Sequence, residues 1–126
     1  MGSFTVVPLI AQRVLSVRVE GNLTLSDVEH LKAAQRSAID MVGWLVREYS
    51  LVVDITDAKI QDTTVASALD KLRTDPMLEP SRLAFVHGAS PAKLQVRRLA
   101  AQRGDGVFDT SAEALDWLSS DFKREL

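Results

Sequence analysis

The N-terminal part of the chain contains two apolar stretches of strand length. Residues 4–9 alternate weakly between apolar and polar positions and contain Pro8, which is typical of an edge strand. In residues 13–19 every second side chain is apolar, although Val14 interrupts strict alternation. Because only residues 10–12 separate the two stretches, we expect them to pair as an antiparallel hairpin.

The apolar period then changes to that of an amphipathic helix. Apolar side chains recur at helical spacing over about five turns, at Val28, Leu31, Ala38, Ile39, Val42, Leu45 and Val46. Thr24 or Ser26 can cap this helix, and Ser26 with Glu29 fits the capping box, in which the serine accepts an early backbone N–H and the glutamate reaches back. Gly43 is expected to weaken or bend the helix near its end.

A strand, a helix and a second strand follow. Residues 50–55 form an apolar run with β-branched residues at its centre. Because the run shows little alternation, we expect both faces of this strand to be buried, as in the interior of a parallel sheet. Asp62 caps a second helix, which must end before Pro76. Residues 82–86 form the next short strand.

Two more helices complete the pattern. Ser90 is suited to cap the third helix, because Pro91 follows it and proline is favoured in the first turn. Gly104 marks the end of this helix. Residues 106–108 are long enough for a minimal strand, and residues 110–113 offer a capping box for the last helix.

The element order β-β-α-β-α-β-α-β-α predicts one α/β domain over residues 1–126, with a mixed, mostly parallel sheet of about five strands and about four helices. The composition is that of a globular domain, with 46% hydrophobic residues, 25% charged residues and a net charge of −2. This balance gives no global attraction to nucleic acid or to an anionic membrane. The absence of cysteine excludes disulfides, thiolate catalysis and cysteine-based zinc sites. Since no apolar run could span a membrane and no leader-like segment opens the chain, we expect a cytoplasmic protein.

Signatures of catalysis are weak in this sequence. Residues 87–91 lie where a strand meets a helix, as a nucleophile elbow does, but Pro91 replaces the second glycine of that pattern and Ser90 suits a helix cap. The sequence has neither a phosphate-binding loop nor a dinucleotide-binding glycine motif. His30 is expected to be solvated. We therefore predict no enzymatic activity, cofactor or metal site, and we retain His87 and Ser90 as candidates in a strand-end loop.

Three carboxylates flank the turn between the third strand and the second helix, namely Asp54, Asp57 and Asp62. Paired carboxylates can serve a hydrolase or hold Mg²⁺. The sequence offers no phosphate cradle beside them, so this chemistry ranks below a structural role for Asp62 as a cap.

The third helix is strongly basic. It carries four basic residues and no acidic one, at Lys93, Arg97, Arg98 and Arg103. Residues 105–126 carry six acidic and two basic residues, a net charge of −4. The basic side chains can pair with the acidic C-terminal helix, or Lys93, Arg97 and Arg98 can form a patch that binds an anion or a partner.

Residues 51–69 resemble the core of the STAS domain (sulfate transporter and anti-sigma factor antagonist), which reads strand, acidic turn, Asp-Ser-Ser-Gly-Leu and helix. Residues 62–64 (Asp-Thr-Thr) fall on Asp-Ser-Ser, and Asp54 falls on the aspartate at the strand end. Residues 65–66 (Val-Ala) stand where Gly-Leu is usual. From its opening hairpin to its last helix, the chain is similar to the SpoIIAA-like group of small bacterial proteins, which is related to STAS domains and to Sec14-type lipid-binding domains.

The resemblance implies a regulatory domain that binds a protein. In anti-sigma factor antagonists a partner kinase phosphorylates the first serine of the motif and thereby controls binding, so the corresponding acceptor is Thr63. The implied switch loop also contains Asp54, Asp57, Asp62 and Thr64. A hydroxyl just after a helix cap suits this role, because the helix N-terminus favours the charge of a phosphate. The implied partner is a kinase-like or anti-sigma-like protein, without nucleic acid or stable membrane insertion, and a homodimer is left open.

The relation to Sec14-type domains implies an alternative, a binding domain for a lipid or another apolar small molecule. Its pocket would lie between the sheet and the helices, with Met41, Trp44 and Trp117 as adaptable apolar walls. Lipid bound to the purified protein would favour this alternative, whereas a co-purifying partner would favour the regulatory domain.

Overall fold

The sheet contains five strands in the part of the chain that the structure describes, and their spatial order is their order along the chain. The computed structural model describes residues 2–124, with side chains described for residues 2–119. The strands are β1 (Ser3–Leu9), β2 (Val14–Gly21), β3 (Ser50–Ala58), β4 (Leu83–Val86) and β5 (Gly106–Phe108). β1 pairs antiparallel with β2, and β2 to β5 are parallel. The predicted mixed, mostly parallel sheet is therefore confirmed.

Helices cover both faces of this sheet. They are α1 (Leu25–Val42), α2 (Thr63–Arg73), α3 (Lys93–Arg103) and α4 (Ser111–Arg124), and a short 3₁₀ turn (Ile10–Gln12) joins β1 to β2. Each parallel strand is added on the same side of the previous one, and the strong preference for right-handed crossovers then puts α1, α2 and α3 on one face. α4 packs on the opposite face, against β4 and β5. Within residues 2–124, no helix is long and apolar enough to cross a membrane.

The two faces of the sheet have separate apolar cores. On the face covered by α1, α2 and α3, alternate side chains of β2 and β3 pack against the helices, among them Leu15, Val17 and Leu51. On the face covered by α4, Val14 and Ala84 belong to a smaller cluster. Val14 interrupts the alternation of β2 because it belongs to this second core.

Helix α1 differs from the prediction at both ends. Thr24 is the N-cap and forms the capping box with Asp27, so the predicted box of Ser26 and Glu29 is wrong. The helix ends at Val42, because Gly43 adopts the left-handed conformation (φ 84°) and donates its N–H to the carbonyl of Ile39. Such a glycine cap ends a helix outright instead of bending it.

The two apolar residues that extended the predicted helix lie beyond this cap. Leu45 and Val46 are exposed in the loop between α1 and β3. Although these two residues continue the apolar spacing of α1, they are not part of the helix. In the same loop, Trp44 stacks on Tyr49, with 5.7 Å between the ring centroids. The Tyr49 hydroxyl donates to the carbonyl of Leu78, and burial raises the pKa of Tyr49 to about 12.

Two further predictions need correction. β3 continues to Ala58, three residues past the predicted strand, and its central side chains at Val53 and Asp54 are only half-buried. Complete burial of both faces is thus wrong for the middle of this strand. α3 begins at Lys93 and not at Pro91, because residues 91–92 form a turn.

Candidate functional site

The four parallel strands end at one edge of the sheet, and many candidate residues lie in or next to the loops that follow β3 and β4. β3 leads through residues 59–62 into α2, and β4 leads through residues 87–92 into α3. The carboxyl edge of a parallel sheet is where α/β proteins bind ligands. The two strand-to-helix turns lie side by side there, since β3 and β4 are neighbours.

The N-terminus of α2 presents the predicted acceptor to solvent. Asp62 has extended backbone dihedrals and caps the helix, and its Oδ1 accepts the backbone N–H of Val65 at 2.9 Å. Thr63 and Thr64 are the first two residues of α2, and both are exposed. The first backbone N–H groups of a helix lack intrahelical partners, which gives this position a partial positive charge.

Gln61 fixes the turn that carries these threonines, a role that no motif or periodicity of the chain indicates. Its buried side-chain amide accepts the N–H of Leu23 at 2.7 Å and donates to the carbonyls of Gly21 at 2.9 Å and Lys59 at 2.6 Å. Its backbone exchanges two hydrogen bonds with the side chain of Gln95 on α3, at 3.1 and 3.0 Å. One residue thereby joins the ends of β2 and β3 to α3 and holds the turn in place.

The three carboxylates near this turn have separate partners. Asp54 Oδ1 accepts the backbone N–H of Thr56 at 2.9 Å and its hydroxyl at 2.6 Å. Asp57 pairs with Arg18 across the parallel strands, and this hydrogen bond raises the pKa of Arg18. Asp62 is occupied as the helix cap. Among the described residues, no three histidine, aspartate or glutamate side chains form a group that could hold a metal ion.

Ser90 and His87 lie in the neighbouring turn, and both are buried, with 5% and 3% of their surface exposed. The Ser90 hydroxyl donates to the carbonyl of Ala58 at 2.8 Å and accepts the N–H of Ala92 at 3.1 Å. His87 Nδ1 lies 2.9 Å from the carbonyl oxygen of Gly88 and 3.5 Å from Asp109 Oδ1. Both hydrogen-bond partners of the serine hydroxyl are backbone groups, so Ser90 supports the structure of the turn.

The basic residues of α3 divide into two sets. Arg103 forms a two-point ion pair with Asp70 of α2, at 2.8 and 3.3 Å, and this contact raises the pKa of Arg103. The expected pairing with the acidic C-terminal helix is wrong for Arg103. Lys93, Arg97 and Arg98 have no ion pair within the described part of the chain, and Arg97 and Arg98 are exposed.

A surface groove runs between α1 and α2 and includes both threonines. Its walls are formed mainly by Leu25, Glu29 and Lys32 of α1 and by Thr63, Thr64, Ser67 and Lys71 of α2. Two large apolar side chains on this side of the chain are exposed, namely Leu25, which lines the groove, by 50%, and Ile60, three residues before Thr63, by 59%. We call Leu25, Ile60, Thr63 and Thr64 the α2 turn surface.

An apolar cavity of about 120 Å³ lies between the sheet and the helices α2 and α3. None of the three side chains predicted as pocket walls lines it. Met41 is 82% exposed, and Trp44 stacks on Tyr49. Trp117 lies on the other face of the sheet, where the Arg82 guanidinium carbon is 3.3 Å from the centroid of its ring. A cavity is thus present between the sheet and the helices, but none of the predicted walls lines it.

Comparison with known proteins identifies the fold. No protein-family model and no curated protein matches the chain in sequence. An uncharacterized DUF3478-family protein with a SpoIIAA-like fold from Shewanella loihica is 22% identical, with a TM-score of 0.72, over 94% of this chain and 95% of that one. An anti-sigma factor antagonist from Mycobacterium paratuberculosis is 14% identical, with a TM-score of 0.62, over 92% and 94% of the two chains.

The anti-sigma factor antagonist SpoIIAA in its unphosphorylated form is a more distant structural neighbour. It is 16% identical, with a TM-score of 0.54, over 98% of this chain and 100% of that chain. In all three cases the likeness extends over almost the whole of both chains. The protein therefore has the SpoIIAA-like fold of the STAS domains.

Proposed function

We propose that this protein is a non-enzymatic regulatory domain that binds a protein partner through the α2 turn surface, and that phosphorylation of Thr63 controls the binding. The observation that carries the proposal is the exposed position of Thr63 as the first residue of α2, directly after the cap Asp62. Two of the structural neighbours are anti-sigma factor antagonists, which supports a kinase or an anti-sigma factor as the class of partner.

The electrostatics of the turn favour a phosphate at this residue. A phosphothreonine carries a charge of about −1.5 to −2 and accepts hydrogen bonds strongly. At the start of α2 it would face the free N–H groups of the first helical turn. Asp62 adds a like charge nearby, but its carboxylate is already bonded to the N–H of Val65. The phosphate would therefore alter the surface without disrupting the helix.

The exposed apolar residues beside Thr63 supply the contact area that a protein partner needs. Leu25 is 50% exposed and Ile60 is 59% exposed, although most large apolar side chains are buried in a folded domain. Exposed apolar groups rimmed by polar ones mark interaction sites. A phosphate on Thr63 would require a partner bound to this surface to desolvate a charge, which weakens binding.

The proposal is tested with a photo-crosslinking amino acid in place of Ile60, in cells that naturally express the protein, with the same amino acid at Leu45 as the control on a distant exposed loop. We expect a specific crosslink from position 60 that Thr63→Glu weakens and the matched variant Thr64→Glu weakens less. The captured protein is then purified, and its affinity for both variants is measured by calorimetry. Crosslinking that is equal at both positions, or insensitive to Thr63→Glu, would contradict the proposal.

Phosphorylation is tested separately by peptide mass spectrometry of the protein isolated from the same cells. We expect phosphate on Thr63, and its loss in Thr63→Ala but not in Thr64→Ala. Phosphate confined to another residue would refute Thr63 as the acceptor while leaving partner binding to be judged by the crosslinks.

A further inference from the structure

The cavity beneath α2 and α3 has the size and lining of a site for a small molecule. Its volume is about 120 Å³, and side chains from the sheet and both helices line it, among them Val53, Leu69, Leu72, Phe85 and Val96. An engineered apolar cavity of about 150 Å³ in another protein stays dry and binds benzene. Sites for drug-sized ligands occupy roughly 300–1,000 Å³, so a lipid is too large for this one.

The cavity accounts for the incomplete burial in the middle of the sheet. Val53 and Phe85 are register partners on β3 and β4, at the centre of the sheet, yet both are only half-buried. Side chains at such positions normally contact close-packed neighbours. Atoms that border a void lose those dispersion contacts, and an apolar ligand in the void restores them.

One amide side chain of helix α1 borders the cavity. Gln35 lies on the buried side of α1, lines the cavity and is only 4% exposed. Its amide forms no hydrogen bond with any residue that the structure describes, whereas the neighbouring amides of Gln61 and Gln95 are bonded. Because the rest of the lining around it is mainly apolar, this amide can donate to or accept from one polar group of a ligand in the cavity.

Two ion pairs close the outer side of the cavity. Arg73 of α2 bonds Asp105, just after α3, at 2.7 and 3.1 Å, and Arg103 of α3 bonds Asp70 of α2 at 2.8 and 3.3 Å. All four side chains line the cavity. These side chains are long, so they can move without unfolding either helix.

We propose that this cavity binds a compact aromatic molecule with one hydrogen-bonding group, such as a phenol, with Gln35 as its polar partner and the seam of the two Arg–Asp pairs as its entrance. The site does not involve Thr63 or the α2 turn surface. The cavity proposal can therefore be refuted without affecting the proposed regulatory function, and the reverse also holds.

Phenol and toluene are matched probes, because they have almost the same size and differ only in a hydroxyl and a methyl group. We expect both to shift the amide NMR signals of the cavity residues, and we expect phenol to bind about fivefold more tightly, the equivalent of one net hydrogen bond. Gln35→Met keeps the volume and removes the amide, so the preference for phenol disappears in this variant. The thermal stability of Gln35→Met should be no lower than that of the wild type.

Ala66 on α2 lines the cavity, and Ala66→Leu fills it with additional methyl groups. We expect this variant to lose the binding of both probes, while the control Ala101→Leu, on the exposed face of α3, retains it. Absence of shifts at the cavity residues of the wild type, or binding that survives in Ala66→Leu, would overturn the site. An unchanged phenol preference in Gln35→Met would overturn the role of Gln35.

The entrance is tested by exchange rates. Arg103→Ala opens one ion pair, so the association and dissociation rates of toluene should rise together by a similar factor, with the Kd nearly unchanged. Arg98→Ala removes an arginine from the exposed side of the same helix and should leave the rates as they are. Equal rates in both variants would refute entry through this seam.

Discussion

The turns after β3 and β4 look alike in the sequence but use their hydroxyl groups differently. Each follows a parallel strand, leads into a helix and offers a serine or threonine near the helix start. Ser90 is buried, and its hydroxyl donates to the carbonyl of Ala58 and accepts the N–H of Ala92. Thr63 is exposed, and the capping bond beside it is made by Asp62. One hydroxyl is committed to the fold, and the other is accessible.

The position of each hydroxyl relative to its helix explains the difference. Ser90 precedes the first residue of α3 by three positions, so the chain can turn it beneath the loop toward the end of β3. Thr63 is itself the first helical residue, and an aspartate already caps the helix before it. Ser90 is thus tied to a neighbouring strand, whereas the turn of Thr63 is held by Gln61 and leaves the threonine at the surface.

The largest effect should come from Gln61→Ala, which removes the support of the accessible turn. The buried N–H of Leu23 and the carbonyls of Gly21 and Lys59 lose their amide partner. We expect the free energy of unfolding in urea to fall by about 3 kcal/mol, since each unsatisfied buried group costs about 1–3 kcal/mol. Gln102→Ala on exposed α3 surface is the control. A loss below about 1 kcal/mol would mean that water replaces the amide and that the turn has other supports.

Ser90→Ala should have the next largest effect. The substitution removes the buried hydroxyl that donates to the carbonyl of Ala58 and accepts the N–H of Ala92. We expect a loss of about 2 kcal/mol in the free energy of unfolding. Ser67→Ala, the same substitution at an exposed position of α2, should leave stability nearly unchanged. If the two variants melt alike, the contrast between a structural and an accessible hydroxyl is wrong.

Thr63→Ala should have the smallest effect. No hydrogen bond among the residues that the structure describes involves its side chain, and surface substitutions of this kind change stability by about 0.5 kcal/mol or less. The variant should unfold within that range of Thr64→Ala, as measured in the same urea titrations. A loss as large as that of Ser90→Ala would show that Thr63 supports the fold and is poorly placed to serve as a switch.

Local signals explain why the fold was predictable. Asp62 as a cap and Gly104 as a helix end depend on neighbours within a few residues, and both occur in the structure. At the predicted capping box, Thr110 Oγ1 accepts the N–H of Glu113 and its hydroxyl donates to the Glu113 carboxylate. The end of α1 was missed although Gly43 was noted. Leu45 and Val46 continue the helical spacing of apolar residues beyond Gly43, and this spacing predicted a longer helix than the glycine cap allows.

The candidate sites depend on contacts between distant parts of the chain, which periodicity does not contain. Gln61 bonds residues about forty positions away, and Arg73 reaches Asp105 across the seam of two helices. The tryptophans attracted attention by their type, but each packs against a neighbouring side chain outside the cavity. Gln35 reads as one polar residue in an amphipathic helix, and only the assembled core reveals that it is buried.

The two outer strands of the sheet, β1 and β5, offer little backbone for pairing with strands of other molecules. β5 has three residues, which offers an incoming strand very little backbone to pair with. β1 is longer, with seven residues, but Pro8 lacks an N–H and so weakens continuous pairing along its outer side. Short or proline-containing edge strands discourage intermolecular sheet growth. Replacement of Pro8 would therefore matter more for behaviour at high protein concentration than for the stability of a single molecule.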